Sequence, residues 1–472
     1  MRVAGLVLAA GLSSRFGSPK ALAVVGGRPL LQHVLDAVAA TPLDPVLVVL
    51  GHAADEIEAA IDWRDEVRLR NPDPARGLAS SLHLGLDDLG AVLPRLDGAV
   101  VVLGDQPRTR ASVVAALVGA AERSDRLLVA PRYAGGGGIN PVLVRHAAFD
   151  LVDRVTGDRG FGPFIATHLD LVEWVDVEGS NPDVDTPADL ARIAEELWAD
   201  RVRANRDQVE RVREVPDGPD FYAPVRSIFR ADPDRTDDAV LDHVRGLARP
   251  GDTWLDIGAG AGRYALPLAR IVQDVVAVDP SAGMLGSLRD GAAEAGITNV
   301  QAIEGRWPPA AELRAALGSD PVADAALIAH VGYDIEAIGP FVDAMEAAAR
   351  RLCVAVMMDR QPGSLAEGFW PPVHGESRVR LPALPEFEEL LRVRGREPRV
   401  TIVEQSPRRF ESREDVERFV RRQLWIADGG EKERRFHAAF DDLVVETDDG
   451  GLGLAGQAPF DVGVIEWTPP GR

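Results

Sequence analysis

An unbroken apolar run, Val3 to Leu8, leads straight into A-A-G-L-S-S-R-F-G-S-P-K, residues 9–20. A short apolar run without polar alternation reads as a buried strand. The Gly/Ser stretch must then be a loop, and a helical pattern resumes at about Pro29. A strand that empties into such a loop can hold phosphates. Its backbone N–H groups point inward, glycine permits close approach, and two cations, Arg15 and Lys20, offset the charge. Leu8, Ala9, Ala10, Gly11 and Ser13 form the expected lining. The loop is not a P-loop, because the G-x-x-x-x-G-K-[ST] spacing is absent. Lys20 is one of only two lysines, with Lys432, among 52 Lys and Arg residues. A chain that otherwise uses Arg keeps Lys where a compact point charge is wanted, although one of two lysines also falls somewhere by chance.

Apolar runs alternate with helical patterns along the first two hundred residues, which predicts a mostly parallel α/β sheet. Expected strands are Pro45–Leu50, Val67–Arg70 and Ala99–Leu103. Expected helices are Pro29–Ala39, Ala53–Ile61 and Gly77–Leu89. Asp105 follows the third of these strands in G-D-Q-P, at the sheet edge where open α/β folds bind ligands. A carboxylate there can hold Mg²⁺ against a triphosphate. The plainer reading is a turn-forming Asp before Gln-Pro.

The L-A-A-G-L-S-S-R-F-G-S-P-K stretch resembles the signature of nucleotidyltransferases of the molybdenum cofactor type, and the likeness extends over about residues 1–200. N-P-D-P-A-R-G-L-A-S-S-L (71–82) looks like that family's nucleotide-approach segment, which implies nucleotide contacts from Asn71, Gly77 and Ser80. D-V-D-T-P-A-D-L (183–190) looks like its closing segment, which makes Asp185 a second metal ligand beside Asp105. Thr186, Pro187 and Asp189 also suit a plain helix start. The resemblance implies in-line transfer of CMP or GMP from the triphosphate to the phosphate of molybdopterin, with Arg15, Lys20 and Asp105 catalytic. Ala10, where guanylyl enzymes often carry a second Gly, leans toward CTP. Three departures fall on the acceptor side: Asn140 replaces a usual His, Phe161–Gly162 stand where an Arg is common in G-D-R-G-F-G (157–162), and Arg108 replaces an apolar residue.

Farther along, T-W-L-D-I-G-A-G-A-G-R (253–263) reads as a strand ending at Asp256, a glycine turn and a helix. The next strand, Asp274–Val278, delivers Asp279 into V-D-P-S-A-G-M-L, where a carboxylate can accept ribose hydroxyls. The pair resembles class I S-adenosylmethionine-dependent methyltransferases, and Arg263 stands where a nicotinamide dehydrogenase would have a third small residue. The likeness implies cofactor contacts from Asp256, Gly258, Gly260, Asp279, Met284, Glu304, Gly305 and His330. His330 is either a base or substrate contact, or simply a polar strand end. Arg306 stands where an Asp is frequent. Ala344–Arg350 is expected as helix, Arg351–Met358 as strand and Asp461–Trp467 as a final antiparallel strand. The stretch 361–440 exceeds what the core fold needs and reads as a lid or as a structural insertion with core tryptophans.

At 472 residues the chain needs more than one core. Two doubly wound, mostly parallel α/β domains are expected: residues 1–198, a linker helix and Pro/Gly break over 199–220, and residues 221–472. The net charge of −22 is spread over both halves and argues against binding nucleic acid or an anionic membrane. Cys353 is the only cysteine, so no intramolecular disulfide can form. No apolar run is long enough to span a membrane and no signal peptide is evident, which predicts a cytoplasmic protein. The reading is a nucleotidyltransferase fused to a methyltransferase. It would use Mg²⁺, an NTP (CTP or GTP) and S-adenosylmethionine on small-molecule substrates, with a molybdenum enzyme or cofactor-pathway protein as the partner class. A nucleotidyltransferase for a sugar phosphate or other phosphorylated metabolite, and a nucleotide sensor without turnover, are the alternatives.

Overall fold

The computed structural model describes residues 1–472 apart from 12, 14, 15, 93, 94, 156, 158, 159, 217–229, 231, 448, 449, 458 and 472. Arg15, two positions of the 157–162 loop and most of the expected Pro/Gly break therefore lie outside the described residues. The chain divides into two compact units, Met1–Ile193 and Ala194–Arg472. Each is built on a seven-stranded, mostly parallel sheet flanked by helices.

In the first unit the strands lie in the order Val67–Arg70, Val46–Leu50, Val3–Ala9, Gly98–Leu103, Val142–Arg145, Leu128–Tyr133 and Val172–Val177. Only Val142–Arg145 runs antiparallel to its neighbours. The first strand explains its own composition. Val3 and Val7 enter the core on one face of the sheet, and Ala4, Leu6 and Leu8 enter the core on the other. A strand covered on both faces has no solvent side to mark with polar residues. Each fully buried Val or Leu contributes roughly 1.5–3 kcal/mol over its exposed state. Leu8 pairs with Leu103, so the 9–20 loop and Gly104–Asp105 leave the sheet at one level of one edge.

The second unit's strands lie in the order Val300–Glu304, Asp274–Asp279, Thr253–Ile257, Ala323–Ala329, Ala349–Met358, Phe460–Trp467 and Arg399–Gln405. Phe460–Trp467 is antiparallel to both its neighbours, as expected for the last strand. Ala349 and Arg350 belong to a strand and not to the helix expected there. The helix Ile338–Ala348 ends sooner because Ala349 is already paired with Ala323.

Two further expectations change. The helix Pro187–Val212 is not a free linker. The unit boundary falls inside it, and from Ala194 it is stitched to the second unit. Trp198, 3% exposed, donates Nε1–H to the Ile335 carbonyl at 2.9 Å, and Gln208 exchanges hydrogen bonds with Ser377 and Val379. The 361–440 stretch is also not one insertion. It contains the helix Leu384–Val393 and the sheet's edge strand Arg399–Gln405. The extra material is Pro362–His374 and the helices Arg413–Leu424 and Glu431–Leu443, which share a core of their own around Phe369, Trp370, Phe436 and Phe440. Among the described residues no helix is long and apolar enough to cross a membrane.

Candidate functional site

The first unit opens a cleft of about 630 Å³ at the edge where the strands Val3–Ala9 and Gly98–Leu103 end. Leu8, Ala9, Ala10, Gly11, Ser13, Lys20, Gly77, Asp105 and Asp185 all border it. Ser13 adopts φ 51°, and its Oγ accepts the Lys20 backbone N–H at 2.9 Å, which closes the loop on itself. The Lys20 side chain reaches across. Its Nζ donates to Asp105 at 2.6 Å and to Asp185 at 3.0 Å. Burial works against that charge, but the two carboxylates outweigh it and raise the ammonium pKa above its ordinary 10.5. Lys20 stays charged at any physiological pH.

Asn71 and Ser80 stand behind the lining. Asn71 is buried and donates Nδ2–H to the hydroxyls of Ser80 and Ser81, both at 2.9 Å. Ser80 itself bonds back to the Gly77 carbonyl, whereas Ser81 faces the cleft. Asn71 thus acts through the serines it aligns. His52 and Asp183 also line the cleft and were not singled out from the sequence.

Asp183 accepts a hydrogen bond from Gln106 Nε2 at 2.7 Å. Burial and the nearby charges of Asp105 and Asp185 push its pKa up. Asp105 Oδ1 is buried and has no hydrogen-bond partner. An orphaned carboxylate oxygen, beside a second carboxylate that shares Lys20 with it, suits a hard divalent cation whose remaining ligands are phosphate oxygens. Among the described residues no group of three or more His, Cys, Asp or Glu is arranged to hold a metal ion.

In the second unit the strand register sets the other site. Ile257 pairs with Val278 and with Ile328, and Asp279 pairs with Glu304. Gly258, Gly260, Asp279, Glu304, Gly305 and His330 are therefore gathered along one sheet edge. Asp279 accepts the Gly260 and Ser281 N–H groups, each at 2.8 Å, and its backbone carbonyl accepts Gly305 N–H at 3.1 Å. Its two carboxylate oxygens thus order the glycine turn and the start of the helix that follows. Gly260 has φ 55°, and a Cβ built on it would meet only Met284 Cε, at 3.8 Å. Asp256 is buried with Oδ1 unpartnered. Desolvation, then the Asp279 charge, raise its pKa to about 7. His330 ends its strand at φ 57°, rare for a non-glycine residue, and its N–H is anchored to the Val356 carbonyl at 2.8 Å. Its Nδ1 is shielded and unpartnered. Burial and then the Arg263 charge hold the imidazole neutral, with a pKa of about 4.

Comparison with known proteins matches residues 5–172 to the MobA-like NTP transferase domain and residues 255–332 to a methyltransferase domain. The bifunctional protein GlmU of Chromohalobacter salexigens is 30% identical over 183 residues, covering 36% of this chain and 39% of that protein. The chain thus spans well under two thirds of that relative. Rv0371c of Mycobacterium tuberculosis is 31% identical over 41% of this chain and 97% of its own, with a TM-score of 0.36. A methyltransferase-like structure from Bacillus halodurans is 14% identical over 49% of this chain and 98% of its own, with a TM-score of 0.36.

Proposed function

We propose that this chain, a MobA-like NTP transferase domain followed by a methyltransferase domain, moves a nucleotidyl group with its first unit and a methyl group with its second. The observation that carries the first half is Lys20 spanning Asp105 and Asp185 across the cleft. The donor is a nucleoside triphosphate, CTP before GTP on the strength of Ala10. The acceptor is a phosphorylated small molecule such as molybdopterin. A phosphate nucleophile is already ionised at neutral pH, so no residue need act as base. Its oxygen bonds to the α-phosphorus as the bond to pyrophosphate breaks. Lys20 supplies positive charge and the loop amides supply donors to the developing negative charge. Asp105 and Asp185 would hold Mg²⁺, which when bound offsets charge on the triphosphate.

A sugar phosphate is the second acceptor reading. It is supported by the acceptor-side departures, Asn140 where a His is usual and Phe161–Gly162 where an Arg is common.

In the second unit the glycine turn, Asp279 and Met284 would seat S-adenosylmethionine. His330, neutral at the strand end, would face the acceptor. Methyl transfer from a sulfonium needs alignment and exclusion of water more than acid–base help.

The test is pyrophosphate release from CTP, GTP and UTP with a panel of phosphorylated acceptors, together with calorimetry of S-adenosylmethionine. Release with one triphosphate and one acceptor class is the expected result. No release with any pair would refute the first half, and no S-adenosylmethionine binding would refute the second.

A further inference from the structure

In the second unit, past the carboxyl end of the strand Ala349–Met358, the chain turns through Gln361 and Gly363 before the short helix Trp370–His374. That strand is parallel to its neighbour Ala323–Ala329, which is parallel to the strand bearing the glycine turn. All three therefore end on one sheet edge. Arg378 sits at this place. Its Nη1 donates to the Gly363 carbonyl at 2.7 Å. The guanidinium lies over the Trp370 ring at 4.8 Å and the Trp425 ring at 5.9 Å. Its Nε is shielded from solvent and has no partner. Among the described residues no carboxylate pairs with it. Glu367, the acid whose field reaches it, is held by Arg380 at 2.9 Å. Trp370 Nε1 is likewise shielded and unpartnered, and the His374 ring stands 4.4 Å from the Trp370 ring.

A guanidinium partly shut off from water without an anion is costly, and desolvation has pulled this one down to about 10. The indoles occupy its neighbourhood and a carbonyl takes Nη1. Nε is left without an acceptor, and the Nε–Nη2 edge of a guanidinium matches two coplanar oxygens.

We propose that Arg378, oriented by Trp370 and Trp425, binds an oxyanion of the methyl acceptor, so that the acceptor is an organic acid or a phosphate ester. The proposal rests on the methyltransferase reading of this unit.

The test is calorimetry on the full chain saturated with S-adenosylmethionine, titrated separately with acetate, benzoate and inorganic phosphate. Saturable binding of the carboxylates points to an organic acid, and binding of phosphate alone to a phosphate ester. Either supports the site. Arg378→Lys keeps the charge but loses the fork and should weaken that binding about tenfold or more, with S-adenosylmethionine affinity unchanged. Gly363→Ala is the second variant. Its Cβ would stand 2.9 Å from Arg378 Nη2, displacing the guanidinium without removing it, and should also weaken the oxyanion. Cofactor binding with no response to any of the three anions overturns the proposal, as does anion binding that a folded Arg378→Lys or Gly363→Ala protein retains in full. Failure to bind S-adenosylmethionine at all counts instead against the methyltransferase reading.

Discussion

Lys20 and Asp105 stand 85 positions apart in the chain and meet at 2.6 Å, with the lysine side chain 15% exposed. Two parallel strands that end level with each other bring this about. Replacing Lys20 with Met should cut nucleotidyl transfer by about 10²–10³-fold, the range seen when one preorganised transition-state donor is lost. Circular dichroism should be unchanged, because the lysine tip packs into no core. Pyrophosphate release at wild-type rate would remove Lys20 from the chemistry.

Asp183 offers a second test because its carboxylate is held at a disadvantage. Burial and two neighbouring acids raise its folded pKa above 3.8. A carboxyl whose folded pKa is raised binds more protons folded than unfolded. Its contribution to stability is therefore best below 3.8 and declines as pH rises through the folded value. Asp183→Asn keeps an acceptor for Gln106 and removes the repulsion. The unliganded protein should melt at a higher temperature at pH 7, while its dependence on divalent cation for turnover increases. A lower melting temperature would show that the charge is stabilising.

Much of the nucleotide cleft was legible in the residues. Glycine, serine and the lone early lysine announce a phosphate loop, and Asp105 follows an apolar run that can only be a central strand. Asp183 was passed over because, in sequence, it looks like the approach to a helix cap. Only the Gln106 contact, 77 residues away, reveals it. Trp198 carries no such signal: it is buried where its chain neighbour Leu197 is partly exposed, and only the packing of the helix shows which of the two faces the core. The edge strand Arg399–Gln405 was invisible because edge strands can alternate weakly and keep charges outward, and this one does.

The glycine turn of the second unit separates packing from ligand access. A Cβ on Gly258, at φ 76°, would stand 2.5 Å from Val331 Cγ2, whereas one on Gly260, at φ 55°, makes only an ordinary 3.8 Å contact with Met284 Cε. Gly258→Ala should cost roughly 2–4 kcal/mol in stability, from strain and overpacking together. Gly260→Ala should cost about 1–2 kcal/mol from the left-handed backbone alone, yet, on the proposed cofactor role of the glycine turn, weaken S-adenosylmethionine at least as strongly, because a methyl there would hinder close approach to the backbone. Urea denaturation and calorimetry on both variants check this. Equal stability losses would contradict the packing argument.

Asp256 predicts an unusual pH dependence. Its folded pKa of about 7 lies above the ordinary 3.8, so the native second unit holds a proton that the unfolded chain gives up. Stability should fall as pH rises from about 4 to 7 and then level off, by at most ~4 kcal/mol for this group. His330 acts in the opposite sense. Its folded pKa of about 4 lies below 6.5, so its contribution is lost as pH falls from 6.5 to 4. Asp256→Asn should remove the first trend and leave the second. Chemical denaturation at pH 5, 6 and 8 separates them, and an unchanged slope in the variant would assign the trend to another group.

The stitched helix changes where the second unit can be cut. Between Ala194 and Val212 it buries Trp198 and Val202, and Arg201 pairs with Glu386 at 2.5 Å. A chain beginning at residue 221 loses all of this, and a buried Trp alone is worth about 3–5 kcal/mol when truncated to Ala. That is a large share of the 5–15 kcal/mol by which a typical domain is stable. A chain beginning at residue 184 keeps the whole helix and should unfold cooperatively with a defined melting temperature, whereas the 221 chain should aggregate or lack a transition. In the full protein, Trp198→Ala should lower the stability of the second unit by that same few kcal/mol. If the 221 chain melted as sharply as the 184 chain, the helix would be a tether after all, and its contacts with Ser377, Val379 and Glu386 would carry no net weight.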